Sequence, residues 1–164
     1  PDVGLLTMTE MVTNAKYIAN AVEIPVICDA DTGYGNPLNV QRTVREYQSA
    51  GGAGIHIEDR LFPKKCGFFQ GKQVVPQEDM VQKIHAALDA RTDDDFVIIA
   101  RCDAYAVTGW NDTVDRCQAY AQAGADMVFV TTGLGDDDIE IAFRTVEGTD
   151  VDGVSAASGQ SDRQ

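Results

Sequence analysis

The chain has no apolar run approaching the ~20 residues that a membrane-spanning helix needs. Its opening residues, PDVGLLTMTE, lack the basic start and apolar centre of a secretory signal, so a cytoplasmic protein is expected. Cations are scarce: 13 Lys and Arg stand against 26 Asp and Glu, for a net charge of −13. Lys occurs five times, and three of the five fall between Lys64 and Lys72. Phosphate neutralisation needs clustered cations, so neither nucleic acid nor an anionic membrane is an expected partner. Glu is scarce beside Asp, 7 against 19, and an Asp-rich, Lys-poor surface is also the expectation for salt adaptation. The four cysteines, Cys28, Cys66, Cys102 and Cys117, form no CxxC pair and no zinc-ligand spacing. They read as reduced thiols rather than disulfides. Gly33-Tyr34-Gly35 lacks both the GxGxxG spacing and the Lys-Ser/Thr of a phosphate loop, and reads as a tight turn.

What is present is a regular beat. Strand-like runs occupy Ile24–Asp29, Gly54–Asp59, Phe96–Asp103 and Met127–Thr131. Helical spacing follows at Asn36–Ala50, from Pro76 to near Arg91, and at Asp112–Ala123 with Asn111 as its cap. An earlier helix is predicted over Thr9–Ala21 and a later one over Asp136–Val146. Such alternation predicts an α/β fold with a parallel sheet. The strands are continuously apolar, as strands covered on both faces should be. Residues 1–148 form the domain on this reading. Residues 149–164 turn small and polar and read as a disordered tail, with a strand at Val151–Val154 as the alternative. Two architectures fit the beat: a flavodoxin-like open sheet, which suits 164 residues, and a (β/α)8 barrel, of which the chain would cover only the middle part.

Each predicted strand ends in ionisable groups, and in parallel α/β folds those ends bind ligands. Asp29 and Asp31 share a face by period-two alternation, as do His56 with Glu58 and Arg101 with Asp103. Asp29, Asp31 and Glu58 converging from adjacent strands would repel one another without a cation between them. Hard oxygen donors of this number suit Mg²⁺ or Mn²⁺. Asp59 and Asp103, taken singly, read as solvated loop or cap residues. The segment Arg60–Lys72 concentrates lysines around one cysteine, and Lys64 and Lys65 should favour the Cys66 thiolate. Gly67 and Gly71 would let that loop move as a lid.

These residues carry a resemblance. DADTGYGN (29–36), GIHIEDR (54–60), PKKCG (63–67), the following Gly71-Lys72 and ARCDA (100–104) resemble the isocitrate lyase / phosphoenolpyruvate mutase superfamily, most closely its 2-methylisocitrate lyase branch. PDVGLLTMTEM at the start and YAQAGADMVF at 120–129 agree, so the likeness runs from about residue 1 to residue 130. It implies a (β/α)8 barrel and a Mg²⁺-dependent carbon–carbon lyase that cleaves a 2-hydroxy di- or tricarboxylate to a 2-oxo acid and a carboxylate. By position, Asp29, Asp31 and Glu58 match the metal carboxylates, with Asp2 a further acid near the metal. Cys66 matches the catalytic cysteine, Arg101 an arginine gripping a substrate carboxylate, and His56 a pocket residue. Lys64 and Gly67 complete the substrate-binding set. Two positions depart from the pattern: Phe68 stands where a His is usual, and Val130-Thr131 where Pro-Glu is usual. Both remove polar groups, which leaves open a dimethylmalate- or oxaloacetate-cleaving relative, and, from another class, a non-catalytic truncated paralogue. The resemblance also implies a homo-oligomer in full-length form.

Overall fold

A computed structural model describes residues 3–65, 71–131 and 154–156. Helix α1 (Met8–Ala21) is followed by β1 (Ile27–Asp29), α2 (Pro37–Ser49), β2 (Gly54–Glu58), α3 (Gln77–Ala90) and β3 (Val97–Cys102). The one-turn α4 (Tyr105–Thr108), α5 (Trp110–Gln122), β4 (Met127–Val130) and β5 (Val154–Ala156) come after it. The five strands form one sheet in the order β1-β2-β3-β4-β5, and every pair is parallel.

That order decides between the two architectures. Each strand adds beside its predecessor on the same side, so the chain never reverses direction across the sheet. A flavodoxin-like sheet, ordered 2-1-3-4-5, must reverse at its switch point. Sequential winding is the course of a (β/α)8 barrel, and this sheet is an arc of one. Burial follows from it. Ile98, Ala100, Cys102, Val128 and Val130 are buried on the face under the helices. Val97, Ile99, Arg101, Met127 and Phe129 alternate with them and are only partly covered. The expectation of strands covered on both faces therefore holds for one face only among the described residues, because a barrel's inner face is covered by the strands opposite.

Local signals account for most element ends. Asn36 caps α2 through bonds from the Leu38 and Asn39 amides, Asn39 returns one to the Asn36 amide, and Pro37 fills the first helical position. Thr7 and Glu10 make the same reciprocal box on α1, so that helix starts one residue before the predicted Thr9. Asn111 is not the cap of α5, contrary to expectation. Gly109, at φ +88°, turns the chain between α4 and α5 and occupies the cap position itself. Strand β1 starts only at Ile27, after Pro25, which has no amide hydrogen to give to a ladder. Within the segment read as a tail, Val154–Ala156 pairs with Val128–Val130 as β5, overlapping the alternative strand at Val154 alone. The helix expected over 136–146 lies outside the described residues. Among the described residues, no helix is long and apolar enough to cross a membrane.

Candidate functional site

The C-terminal ends of β1, β2 and β3 carry the ionisable residues, and parallel register brings them level. Asp29 pairs with His56, and Glu58 with Arg101. Beyond β1 the backbone turns at Asp31, whose φ of +49° is held by its amide bonding to the Asp29 carboxylate at 2.8 Å. The Asp31 carbonyl then accepts from the Glu58 amide at 2.8 Å, which fixes this loop against β2. From below, Lys83 of α3 donates to the Thr32 carbonyl at 2.8 Å, and Tyr47 of α2 donates to the Asp29 carbonyl at 2.8 Å. Two flanking helices thus position one short acidic loop.

The centre of the site is a buried ionic cluster. The Lys64 ammonium touches the Asp31 carboxylate and lies 3.3 Å from Glu58 Oε1. Glu58 Oε2 faces Arg101 Nη1 at 3.4 Å and Arg60 Nε at 3.9 Å. Arg101 grips Asp103 through Nε at 2.9 Å and Nη2 at 3.2 Å, while Arg60 Nη2 reaches the same carboxylate at 2.5 Å. The Thr131 hydroxyl also donates to Asp103. Glu58 is fully buried, and neither of its carboxylate oxygens has a hydrogen bond. Burial pushes its pKa up, against the opposing pull of Arg101, Lys64 and Arg60. Burial acts on Asp103 in the same sense. There the hydrogen bond from Arg60, with Arg101 and Thr131, overrides it and holds the carboxyl below its usual range. His56 stands 3.7 Å from Asp29 and edge-on to Phe129, and burial lowers its pKa, so its imidazole is a neutral wall of the site. The Arg101 guanidinium lies over the Phe129 ring at 5.8 Å.

Of the residues singled out from sequence, Asp29, Asp31, His56, Glu58, Lys64 and Arg101 come together at this mouth. Asp2, Cys66, Gly67 and Phe68 lie outside the described residues. Two readings are corrected. Asp103 and Asp59 are not solvated caps: both are buried. Asp59 accepts the Asp103 amide at 2.8 Å and the Tyr120 hydroxyl at 2.8 Å, with Arg116 at 3.4 Å. Sequence reasoning also missed Arg60 as a site residue, although a cation directly after two acids in Glu58-Asp59-Arg60 was the available signal. Thr131 adds a hydroxyl to the cluster rather than leaving the strand end bare.

The donor set suits a hard cation. Among the described residues no three His, Cys, Asp or Glu side chains are grouped closely enough to enclose a metal ion. Mg²⁺, however, keeps several waters and takes only one or two carboxylates. The two Glu58 oxygens, which make no hydrogen bond, are donors of that kind, and Lys64 already places a positive charge between Asp31 and Glu58. Next to Lys64 opens a cleft of about 340 Å³, lined by Leu5, Leu6, Met8, Tyr34 and Phe62 as well as Asp31. Its wall is mostly apolar.

The phosphoenolpyruvate phosphomutase family profile matches residues 1–160. The 2,3-dimethylmalate lyase of Eubacterium barkeri is 50% identical over 148 residues, covering 90% of this chain and 51% of that protein. A crystal structure of a 2,3-dimethylmalate lyase superposes with a TM-score of 0.85 at 35% identity, covering 96% of this chain and 55% of the other. The 2-methylisocitrate lyase of Aeropyrum pernix is 52% identical over 129 residues, 79% of this chain and 41% of that one. A phosphonopyruvate hydrolase in complex with oxalate and Mg²⁺ superposes with a TM-score of 0.82 at 36% identity, over 96% and 54% of the two chains. The chain spans about half the length of the curated relatives it matches. With the sequential parallel sheet and the ionic cluster at its strand ends, these likenesses place the chain in the phosphoenolpyruvate mutase / isocitrate lyase superfamily.

Proposed function

We propose that the chain carries the cation- and carboxylate-binding mouth of a Mg²⁺-dependent carbon–carbon lyase, which cleaves a 2-hydroxy dicarboxylate to a 2-oxo acid and a carboxylate. The observation that carries the reading is Arg101, whose Nε and Nη2 bond Asp103 while its Nη1 faces Glu58 at the strand ends. Asp29, Asp31 and Glu58 would hold Mg²⁺, partly through water, with Asp2 a further acid of the same set. Bound there, Mg²⁺ supplies Lewis-acid polarisation of the oxygen on the carbon that becomes the 2-oxo centre. Arg101 clamps a substrate carboxylate and so fixes which carbon–carbon bond lies over the acids. His56, neutral and half-enclosed by Phe129, bounds the pocket without adding charge. Loss of the hydroxyl proton to a base lets that bond break, leaving its electron pair on the departing carboxylate fragment. Cys66, in the Lys64-Lys65-Cys66-Gly67 loop, returns a proton to that carbon.

For the substrate, the apolar wall of Leu5, Leu6, Met8 and Phe62 favours an acid with methyl groups over one with a third carboxylate. Thr131 supports the same choice, since its hydroxyl is committed to Asp103. A dimethylmalate-like substrate is the first choice, and 2-methylisocitrate the second. The test is a coupled assay for 2-oxo acid release with Mg²⁺, offering 2,3-dimethylmalate, 2-methylisocitrate and isocitrate in parallel, with oxaloacetate followed separately by its disappearance. Dimethylmalate should give the highest kcat/KM, and Cys66→Ser should abolish it. Turnover of none by a folded chain refutes the proposal, and a Cys66→Ser variant of undiminished rate removes Cys66 from it.

A further inference from the structure

One buried side chain joins the segment after β2 to the end of β3. Arg60 is 2% exposed, and its guanidinium donates to two different segments. Nη2 reaches Asp103 Oδ1 at 2.5 Å, and Nη1 reaches the Lys65 carbonyl at 2.7 Å. The base of this segment is closed without the second bond. Arg60 and Val74 form an antiparallel bridge, the Leu61 amide donates to the Gln73 carbonyl at 2.9 Å, and the Val75 amide donates to the Asp59 carbonyl at 2.8 Å. Arg116 of α5 braces the same base, donating to the Val75 carbonyl at 2.8 Å and facing Asp59 at 3.4 Å. What the Lys65 bond adds lies higher up. The carbonyl held by Arg60 is one residue beyond Lys64, so it restrains the backbone from which the Lys64 ammonium reaches Asp31 and Glu58.

We infer that Arg60 is a positioning residue: it sets where Lys64 stands and ties that placement, through Asp103, to Arg101. The Arg101 fork closes on the same Asp103 carboxylate at 2.9 and 3.2 Å. Lys64 and Arg101 therefore face the two Glu58 oxygens, at 3.3 and 3.4 Å, from one shared frame. The task calls for a guanidinium. Its planar fork can serve two acceptors at fixed angles, whereas an ammonium is one point charge on a flexible stem. The inference rests on the function proposed above where it treats Lys64 and Arg101 as substrate-facing cations. The hold of Arg60 on the Lys64 backbone rests on the hydrogen bonds themselves.

The experiment compares trypsin cutting of the 164-residue chain and of Arg60→Lys, followed by fragment mass. The variant keeps the charge beside Asp103 and gives up the fork. In wild type Lys64 is 4% exposed, and the carbonyl attacked in cutting after Lys65 is the one Arg60 holds. Cutting after Arg45, an exposed side chain within α2, reports opening of the fold as a whole. In Arg60→Lys, cutting after Lys64 and Lys65 should rise about tenfold or more, the scale of one lost charge-assisted bond in a local opening, while cutting after Arg45 changes by less than about threefold. With dimethylmalate as substrate, kcat/KM should fall by about tenfold, chiefly through KM, because Lys64 is displaced from bound substrate. Equal increases at Lys64, Lys65 and Arg45 would overturn the inference, since Arg60 would then serve the fold at large. Selective loosening with kcat/KM unchanged would overturn the positioning role. Selective loosening in a chain that turns over no substrate would support the hold of Arg60 on Lys64 and overturn the proposed function instead. Should Arg60→Lys not fold, nitrogen-15 spectra of the wild-type guanidinium decide. Slow rotation with distinct Nη1 and Nη2 signals supports the two-acceptor hold, and free rotation overturns it.

Discussion

Removing the charge of Asp103 should unfasten the site and much of the fold with it. In Asp103→Asn an amide replaces a buried carboxylate that accepts from Arg60 at 2.5 Å, from Arg101 at 2.9 and 3.2 Å, and from Thr131. Two guanidiniums, one of them 2% exposed, then face a neutral group whose NH₂ is itself a donor. Breaking a buried pair by deleting one partner costs about 3–5 kcal/mol, because the remaining charge stays desolvated. Against a total stability of about 5–15 kcal/mol this is a large share. With a urea slope of about 2 kcal/mol per M, the unfolding midpoint should fall by about 2 M. The pH dependence gives an independent check. The folded pKa of Asp103 lies below its unfolded value, so its contribution is complete above about pH 3.9 and is lost as pH falls through the folded value. The gap between wild type and variant should therefore be full at pH 6 and close at strongly acidic pH. A midpoint shift under about 0.5 M at pH 6, corresponding to about 1 kcal/mol, would refute the reasoning and show Glu58 satisfying both arginines.

Two further outcomes are expected. His56 has a depressed pKa from burial, so wild-type stability should decline as pH falls below the unfolded value of about 6.5; His56→Gln should lack that slope when urea midpoints at pH 7.5 and 5.5 are compared. Gly33 sits at φ +81°, and a Cβ there would meet Val40 Cγ2 at 2.5 Å, whereas at Gly109 (φ +88°) it would meet nothing within 4 Å. Gly109→Ala should therefore cost only the left-handed backbone, about 1–2 kcal/mol, and Gly33→Ala about 1–3 kcal/mol more for the clash, read as the order of their thermal midpoints. Equal midpoints would mean that Val40 yields freely.

The sequence by itself determined α1, α2, α3, α5, the strands β1 to β4 and the acids at their ends. Asn36-Pro37 and Thr7-x-x-Glu10 are start signals satisfied within three residues, so α1 and α2 begin where local chemistry puts them. The motifs around Asp29, Glu58 and Arg101 were legible because period-two alternation and strand ends are local properties. Only tertiary structure decided the rest. Both an open sheet and a barrel arc satisfy the same βα beat, and strand order is a relation between segments far apart in the chain. Asp59 looked like a solvated cap because its partners Arg116 and Tyr120 lie far along the chain in α5, and Asp103 because, beyond neighbouring Arg101, its buried partner Arg60 comes from the end of β2. A lone acid in sequence carries no record of its burial. Parallel register and helix packing brought the compensating cations to it, and the same packing placed the Lys64 ammonium between the two acids expected to bind metal.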